Sequence, residues 1–438
     1  MKKCAIIIIS AVCCLACNNP NVTTTEPQPE KILALVNTMS DIMVHDVTNP
    51  PLAARFFAYS FLAGYEVISQ NDSAFTTMYG VLNKYPQIKK PNIKKCNYQL
   101  AALYAIIVTA EKLQPSGKLL NNFKQSLNES CRSAHINQST IEASVEYGVY
   151  VAEQILKYAK EDGYRNISDY PRYTPRPGEG YWFPTPPAFM AAVEPFFNTV
   201  RPFMLNAATQ FKPVVPVPFN ALKNSPFYVL MDDVYHTGKN LNTEQKAIAA
   251  FWDCNPFAIQ DEGHLKVGIK KISPGAHWMG IAGIACKKAK SSFNKTIQVH
   301  AVTALTLMDA FIYCWDEKYH SNRIRPETAI RKYIDHSWIP LLQTPPFPEY
   351  PSGHSVISTA SAEVLSWFFG QTFSYTDDVE AAYGLTPRTY TSFKTAAAEA
   401  AISRFYGGIH FMDAVQQGVQ QGKQVGTFVI QKLFKENR

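Results

Sequence analysis

Several common catalytic motifs are absent from this 438-residue sequence. It has no HExxH motif, no GxSxG elbow and no glycine-rich phosphate loop, which removes the usual evidence for a zinc protease, an α/β-hydrolase or a P-loop enzyme. Its ten histidines form no close cluster with carboxylates, and the five cysteines after residue 17 include no CxxC pair. Their odd number and wide spacing predict neither a disulfide framework nor a zinc site, so we interpret them mainly as buried thiols, with room for one disulfide.

Charge is sparse and evenly spread. Charged residues make up 18% of the chain, and the net charge of +7 includes no basic block longer than two or three residues. This distribution is not that of a nucleic-acid surface, and we expect no nucleic-acid partner. An apolar content of 46% predicts a folded protein, and the length allows one large domain or two packed subdomains.

The N-terminal segment MKKCAIIIISAVCCLAC has two lysines, an apolar run and small residues before Cys17. The run is well short of the ~20 apolar residues that a transmembrane helix needs, so residues 1–17 are predicted to be a secretory signal. Leu15-Ala16-Cys17 resembles the end of a bacterial lipoprotein signal, after which Cys17 is lipidated; simple cleavage is the alternative. We therefore expect a lipid-anchored protein of the bacterial cell envelope, periplasmic or outer-membrane, with a flexible tether at residues 18–32.

Helical periodicity dominates the rest of the chain and predicts an all-α fold built from helical bundles. Helices are predicted at residues 33–46, 52–70, 97–113, 140–161, 243–256, 294–316, 353–369, 391–406 and 411–434. Capping signals support the starts at Asn242 and at Ser139, where Glu142 follows three residues on. Residues 163–235 are rich in proline and aromatics and predict an ordered connector. The predicted domains are an N-terminal helical region with this connector (33–236) and a C-terminal bundle (237–438).

Three short segments of the C-terminal bundle carry residues suited to chemistry. They are KYHSNRIRP, with Lys318 and Arg325; PSGH, residues 351–354; and SRFYGGIH, with Arg404 and His410. The lysine and two arginines supply positive charge, and guanidinium groups donate paired hydrogen bonds to oxygens. Ser352 offers a hydroxyl, and Gly353 a backbone N–H at a predicted helix N-terminus, where anions are favoured. The segments predict an oxyanion site in which one histidine transfers protons and the other attacks or ligates the central atom.

Each segment alone is weak evidence, but the three in this order resemble the signature of one superfamily. It unites type-two phosphatidic acid phosphatases, bacterial acid phosphatases and vanadium-dependent haloperoxidases, and implies a core of helical bundles. The resemblance implies that Lys318, Arg325, Ser352, Gly353 and Arg404 hold the oxyanion. It also implies that His354 is the acid–base residue, and that His410 is either a phosphatase nucleophile or the vanadium ligand of a haloperoxidase. One departure is Asp413, three residues after His410 where many lipid phosphatases have the aspartate at four.

Nearby aromatic residues resemble the vanadium chloroperoxidase branch. Trp315 precedes Lys318 by three residues and Phe347 precedes His354 by seven, where that branch has a Trp and a Phe lining the halide site. The alternative is that both are ordinary core residues. Segments 181–189 (YWFPTPPAF) and 200–205 (VRPFML) also resemble haloperoxidase-like bacterial proteins, and small phosphatases lack such a region.

The resemblance therefore favours a vanadium-dependent haloperoxidase, which oxidises halide with hydrogen peroxide and uses vanadate as its cofactor. In that reaction Lys318 would polarise the peroxide, and Phe347 favours chloride competence over a bromide-only enzyme. An acid phosphatase acting on phosphate monoesters or lipid phosphates through a phosphohistidine is the alternative. A phosphate-binding lipoprotein without catalysis is a third reading, which the presence of both histidines disfavours.

One position departs from the chloroperoxidase pattern. Fungal chloroperoxidases carry, after a Phe-Trp pair, an aspartate that pairs with the second arginine of the site. Here Phe251-Trp252 is followed by Asp253-Cys254-Asn255, so the aspartate is displaced and Asn255 can occupy its place. The sequence leaves open whether Asp253 or Asn255 orients Arg404.

Overall fold

The computed structural model describes residues 28–262, 265–268 and 270–434, and these residues form an almost entirely helical protein. The predicted signal and most of the tether lie outside this part of the chain. Two short antiparallel hairpins are present, β1 (Ile259–Glu262) with β2 (Leu265–Gly268), and β3 (Tyr375–Asp377) with β4 (Arg388–Tyr390). The predicted all-α class is confirmed.

The helices are α1 (Glu30–His45), α2 (Pro50–Ser69), α3 (Tyr98–Leu113), α4 (Leu120–Ser133), α5 (Gln138–Lys160), α6 (Pro226–Lys239), α7 (Thr243–Phe251), α8 (Pro274–Lys288), α9 (Phe293–Ser321), α10 (Pro326–Tyr333), α11 (Gly353–Phe369), α12 (Phe393–Tyr406) and α13 (Met412–Phe434).

All nine predicted helices are present, with some ends shifted. Helix α7 ends at Phe251 instead of 256, because Pro256 restricts the residue before it and cannot continue a helix. Helix α9 continues to Ser321, five residues beyond the prediction, and ends at Asn322 in the left-handed conformation. Asn242 caps α7 with the predicted side-chain bond, but the capping box at Ser139 is wrong: α5 begins earlier, after Asn137.

Four helices were not predicted, and three of them begin with proline. Helices α6, α8 and α10 each have proline at the first helical position, where its missing N–H costs nothing and its fixed φ suits a helix. Of these three prolines only Pro226 lies in the segment assigned to the proline-rich connector, and residues 226–235 of that segment are helical. The fourth, α4, is mostly polar on its surface and buries only a few side chains.

The connector is otherwise ordered and lies on the helical body, as predicted. Between residues 163 and 225 it contains only short 3₁₀ turns. The fully buried carboxylate of Asp309 on α9 accepts the backbone N–H groups of Phe203, Met204 and Leu205 at 2.6, 2.7 and 3.0 Å. Because a buried carboxylate is costly without such donors, this contact fixes the connector against α9.

Helix α9 is the central element of the core. The largest hydrophobic cluster includes residues of α2, α3, α9 and α11, so the N-terminal and C-terminal regions share one core. Among the described residues, α9 is the one helix long and apolar enough to cross a membrane, but its most apolar 18-residue window is entirely buried. This burial is that of a core helix.

Helices α11 and α13 pack unusually closely, and this packing brings two of the motif segments together. Gly418, Gly422 and Gly426 of α13 lie against α11. A Cβ at Gly422 would come within 2.4 Å of the Val356 carbonyl oxygen, so any larger residue there would push the helices apart. The glycines therefore set the distance between the start of α11, with His354, and the start of α13, with His410.

Candidate active site

The motif segments converge on one small buried cavity. Trp315 and Lys318 lie near the end of α9, Arg325 caps α10, and Ser352 to His354 begin α11. Arg404 lies near the end of α12, and His410 directly precedes α13. The cavity has a volume of about 30 Å³ and is lined by Pro50, Cys254, Asn255, Pro256, Phe257, Pro274, Phe311, Trp315, Pro345, Phe347, Gly353, His354, Arg404, Ile409 and His410.

A larger groove exists elsewhere on the protein. It has a volume of about 790 Å³ and is lined in part by Arg176, Lys212 and His320. None of the predicted site residues lines it. Because catalytic chemistry depends on convergent functional groups more than on volume, the small cavity is the candidate site.

His410 is held as a neutral imidazole. Its Nδ1 lies 2.8 Å from Glu349 Oε1, and its Nε2 lies 3.1 Å from Arg325 Nη1. The carboxylate places the ring proton on Nδ1, which leaves a lone pair on Nε2. Burial, together with the positive charges of Arg325 and Lys318, holds the pKa of His410 well below its ordinary value. His410 can therefore act as a ligand or as a nucleophile through Nε2.

Glu349 is the centre of a buried polar network that the sequence analysis missed. It is fully buried and accepts the Phe411 N–H at 3.0 Å as well as the His410 proton. It also accepts Arg323 Nε at 2.6 Å, and Arg323 in turn pairs with both oxygens of Asp413. Asp413 thus acts on Arg323 and makes no direct hydrogen bond to His410. Glu349 lies in the sequence PFPEYPSGH, and a lone carboxylate in that apolar run was the available signal.

Substituting Glu349→Gln is expected to weaken oxyanion binding and activity 10- to 100-fold, the usual effect of losing a partner that orients a ligand histidine. The amide removes the charge that stabilises the Nδ1–H tautomer. Oxyanion affinity and the pH profile of turnover should both change while the circular dichroism spectrum is retained. Asp413→Asn is the matched control, because Asp413 contacts Arg323 without contacting His410. Equal losses in both variants would contradict the positioning role of Glu349.

Arg325 has an unused donor. Its Nε donates to the Phe347 carbonyl at 2.9 Å and its Nη1 to the Ile409 carbonyl at 2.8 Å, but Nη2 is buried without a partner. Burial, together with the neighbouring charge of Arg404, lowers the pKa of Arg325 to about 9. An anion beside Nη2 would offset both effects.

Arg404 is oriented mainly by a backbone oxygen. Its Nη1 donates to the Trp252 carbonyl at 2.8 Å, while Asp253 Oδ1 lies 3.9 Å from Nη2 and makes no hydrogen bond. The other oxygen of Asp253 contacts Lys271. Asn255 does not replace the aspartate; it lines the cavity, and its Nδ2 has no partner. Arg404 therefore has an ion-pair neighbour in Asp253 but no hydrogen-bonded carboxylate.

Lys318 lies behind the cavity wall. Its Nζ donates to the carbonyl oxygens of Pro348, Glu349 and Pro351 at 3.1, 3.2 and 2.6 Å, and it is fully buried. These bonds tie α9 to the segment that leads into the PSGH turn. The ammonium is also 5.1 Å from the Phe347 ring centre, so its charge acts on the site at short range.

The PSGH segment forms a capped helix start. The Ser352 hydroxyl accepts the Ser355 N–H at 3.4 Å and the Ser355 hydroxyl at 2.9 Å. Gly353 lines the cavity, and a Cβ there would make only ordinary contacts with the protein, the nearest at 3.7 Å to Trp315. Burial, followed by the charges of Arg404 and His410, holds the pKa of His354 well below its ordinary value. The ring is therefore neutral, and its buried Nε2 has no partner.

The unpartnered groups together fit a tetrahedral oxyanion. Arg325 Nη2, Arg404 Nε, Asn255 Nδ2 and His354 Nε2 are all buried without hydrogen-bond partners. A buried unsatisfied polar group costs about 1–3 kcal/mol, so four of them in one site indicate a ligand with several acceptor oxygens. The positive charges require that ligand to be an anion. Phosphate and vanadate share the shape and charge that these donors would satisfy.

Trp315 and Phe347 belong both to the cavity wall and to the hydrophobic core. Their ring centres are 5.0 Å apart, and the Trp315 indole N–H donates to the Val193 carbonyl at 3.2 Å. Lining the site and packing in the core, the two alternatives given for Trp315 and Phe347, are therefore compatible. With Phe311 and Phe257 they give the cavity an apolar part of its wall, and the Lys318 ammonium and the Arg325 guanidinium each lie 5.1 Å from the Phe347 ring centre.

The five cysteines in the described part of the chain are all free thiols. Cys254, Cys286 and Cys314 are almost completely buried. The disulfide for which the sequence left room does not form. One of these thiols, Cys254, reaches the cavity wall.

Comparisons with known proteins agree with this geometry. Residues 298–437 match the family described as the VCPO second helical-bundle domain. A solved structure described as the first bacterial vanadium-dependent iodoperoxidase is 43% identical, with a TM-score of 0.87 over 93% of this chain and 96% of that one. Two structures of a bacterial vanadium-dependent chloroperoxidase are each 16% identical to this chain with a TM-score of 0.64, and they show the shared fold. The match to the holo structure covers 94% of this chain and 96% of that one. The match to the apo structure covers 89% of this chain and 95% of that one. No curated protein matches the chain.

Proposed function

This chain belongs to the vanadium-dependent haloperoxidases, and we propose that it oxidises iodide with hydrogen peroxide, with vanadate as its cofactor. The observation that carries the proposal is the set of buried, unpartnered donors around the Nε2 lone pair of His410. These groups supply both the positive charge and the ligand atom that a vanadate requires. The 43% identity to an iodoperoxidase over nearly the whole chain supports the same assignment.

Each residue of the site has a role that follows from its position. Bound vanadate supplies the Lewis-acid centre at which peroxide becomes reactive toward halide. His410 Nε2 is the protein ligand, and Arg325, Arg404 and the charge of Lys318 neutralise the oxyanion. His354 Nε2 lies at the cavity and is placed to accept or donate a proton.

The cavity itself selects small reactants. A volume of about 30 Å³ holds only a few water-sized groups, such as the oxygens of an oxyanion, and leaves no room for the organic part of a phosphate ester or a lipid. The apolar wall of Trp315 and Phe347 excludes bulk water from one side. These features favour halide oxidation over phosphate-ester hydrolysis.

Iodide is the halide that this site suits best. Iodide is the most easily oxidised of the three halides, so it needs the least activated oxidant. Arg404 has no hydrogen-bonded carboxylate to orient it, and its closest carboxylate oxygen is 3.9 Å away in Asp253. A less firmly held arginine predicts weaker activation, which iodide tolerates and chloride does not.

The halide preference is tested by assaying the vanadate-loaded protein with iodide, bromide and chloride at equal concentration. We expect iodide oxidation to exceed bromide oxidation at least about tenfold, which corresponds to ~1.4 kcal/mol of barrier, and chloride oxidation to be absent. Hydrolysis of p-nitrophenyl phosphate by vanadium-free protein is measured in parallel. Chlorination at a comparable rate would overturn the iodide proposal and support the role first predicted for Phe347. Ester hydrolysis without halide oxidation would favour the phosphatase alternative.

Vanadate affinity is expected to fall as pH rises above 7. Burial lowers the pKa of Lys318 to about 7 in the anion-free protein, and a bound anion favours the ammonium and raises that pKa. At a pH between the Lys318 pKa of the anion-free protein and that of the vanadate-bound protein, vanadate binding therefore takes up one proton. Over that range vanadate affinity drops by up to about tenfold for each unit that the pH rises. Isothermal titration with orthovanadate in two buffers of different ionisation enthalpy measures this uptake. Lys318→Met should show weaker binding with a reduced proton uptake, and an unchanged uptake would assign the proton to another group.

We also propose that residues 1–17 form a lipoprotein signal and that Cys17 anchors the protein to the bacterial envelope. The support is the Leu15-Ala16-Cys17 sequence after a short apolar run. Cys17→Ser should move the protein from the membrane fraction to the soluble fraction, and Cys14→Ser is the matched control. Equal membrane retention in both variants would contradict the anchor, and protease accessibility in intact cells would identify the side of the membrane.

A further inference from the structure

A second cluster of reactive side chains lies beside the oxyanion site, and one of its members, Cys254, also lines the cavity. Cys254, His277 and Glu380 come from the loop after α7, from α8 and from the 3₁₀ turn Val379–Tyr383, and all three are almost fully buried. Cys254 Sγ lies 3.5 Å from His277 Nδ1 and 3.6 Å from Glu380 Oε1, and Nδ1 lies 3.2 Å from Oε1. The three donor atoms form a nearly regular triangle.

This triangle has the dimensions of one face of a tetrahedral zinc site. Zinc bonds of about 2.3 Å to sulfur, 2.0–2.1 Å to nitrogen and 2.0–2.2 Å to oxygen, at tetrahedral angles, place the ligand atoms roughly 3.3–3.6 Å apart. The two distances from Sγ, 3.5 and 3.6 Å, lie in that range, and the 3.2 Å between Nδ1 and Oε1 is slightly shorter. An ion could bind with little movement of the side chains.

The surroundings of His277 are those of a metal-binding histidine. Its Nε2 lies 2.9 Å from Asp377 Oδ2, a fully buried carboxylate on β3. A carboxylate at one ring nitrogen fixes the proton there and directs the lone pair of the other nitrogen, here Nδ1, toward the metal. The His277 ring also stacks on Trp252 with centres 4.6 Å apart, which fixes its orientation.

We propose that Cys254, His277 and Glu380 bind a zinc ion, with Asp377 orienting His277. Sulfur, nitrogen and oxygen donors in a compact buried site suit this borderline-soft divalent cation. The Cys254 thiolate and the Glu380 carboxylate together carry two negative charges, which balance the charge of the ion. A water would complete the tetrahedral set of ligands.

The ion would support the oxyanion site without taking part in the reaction. Cys254 is two residues from Trp252, whose carbonyl is the main hydrogen-bond acceptor of Arg404. Zinc would tie this loop to α8 and to the turn after β3, and so hold that carbonyl in place. Without an ion, the same distances are those of a protonated His277 that forms ion pairs with Asp377 and Glu380. Measuring the metal content distinguishes this ion-paired cluster from a zinc site.

The ligands are far apart in the sequence, which is why spacing did not predict them. Cys254 and His277 are separated by 23 positions, and Cys254 and Glu380 by 126. No short motif joins them. The fold alone assembles the cluster.

The test is the metal content of the full chain, purified without chelator from zinc-supplemented medium and measured by inductively coupled plasma mass spectrometry. We expect about one zinc per chain, and less than about a tenth of that in Cys254→Ser and His277→Gln. Cys286→Ser is the matched control, because Cys286 is a buried thiol of α8 outside the cluster. Zinc retained in the cluster variants, or absent from the wild-type protein, would overturn the proposal.

Cobalt substitution tests the ligand set independently of how well the variants fold. Wild-type protein loaded with Co²⁺ should show a thiolate-to-metal charge-transfer band in the near ultraviolet and tetrahedral d–d bands in the visible. The absence of the charge-transfer band would exclude Cys254 as a ligand. Vanadate affinity of the same samples is a separate readout, so failure of the zinc proposal leaves the haloperoxidase assignment intact.

Discussion

Replacing His410 with alanine is expected to abolish halide oxidation, lowering turnover by about 10³-fold or more, the scale seen when an essential member of a catalytic unit is removed. The variant loses the Nε2 lone pair beside Arg325, and with it the proposed protein bond to vanadate. Glu349 keeps its contacts with Arg323 and the Phe411 N–H, so its charge stays paired and the fold should persist. Iodide oxidation at saturating vanadate and peroxide measures the loss.

His336→Ala is the control for this variant, because His336 is an exposed histidine that does not line the cavity. It should retain full activity and vanadate affinity. Imidazole added to His410→Ala offers a further check, since a free ligand in the space left by the side chain should restore part of the vanadate binding. Substantial turnover in His410→Ala without imidazole would remove His410 from the mechanism.

Replacing Arg325 with methionine is expected to weaken vanadate binding by about 10- to 150-fold. A hydrogen bond to a charged group contributes about 1.5–3 kcal/mol, and ~1.4 kcal/mol is a factor of ten in affinity. Methionine preserves most of the volume but removes the unpartnered Nη2 and the donor that faces His410 Nε2. Equilibrium titration with orthovanadate measures the change, and ⁵¹V NMR line broadening gives an independent value.

Arg331→Met is the matched control, because Arg331 is an exposed arginine of α10 that does not line the cavity and lies 3.7 Å from Glu327. Its loss should change vanadate affinity by less than a factor of two to three, because an exposed charge outside the cavity is screened by solvent. Phosphate competition should follow the same order as vanadate binding in both variants, since the two anions share the site. Equal vanadate affinity in Arg325→Met and the wild-type protein would place the oxyanion elsewhere.

Much of the active site was predictable because its parts are encoded locally. PSGH gives a serine cap and a glycine at the first position of a helix, and both are set by neighbouring residues. Arg325 precedes a proline that starts α10, which fixes the arginine as the cap residue. The family and the all-α class were confirmed because three such segments in a fixed order are specific.

The missed features depend on contacts between distant residues. Glu349 is recognisable only when Arg323, Phe411 and His410 surround it, since a single glutamate between prolines is otherwise a surface residue. Arg404 is oriented by the backbone carbonyl of Trp252. Because every residue has a backbone carbonyl, the residue type at position 252 could not indicate this contact. The cysteine, histidine and glutamate cluster is assembled from three elements in the same way.

Lys318 shows the limit of transferring a role by motif. Its position in the sequence is the one expected, and its burial is complete. Its three hydrogen bonds are nevertheless to backbone carbonyls of the segment before PSGH. Its contribution in this geometry is positional and electrostatic, and direct polarisation of peroxide remains a prediction.

The most direct test of the account is reconstitution of the vanadium-free protein with orthovanadate while iodide oxidation is followed. The buried donors and His410 predict that activity is absent without vanadate, rises to saturation at about one vanadate per chain, and is inhibited competitively by phosphate. Activity that is independent of added vanadate in protein shown to contain no vanadium, or a stoichiometric vanadate complex without iodide oxidation, would contradict it.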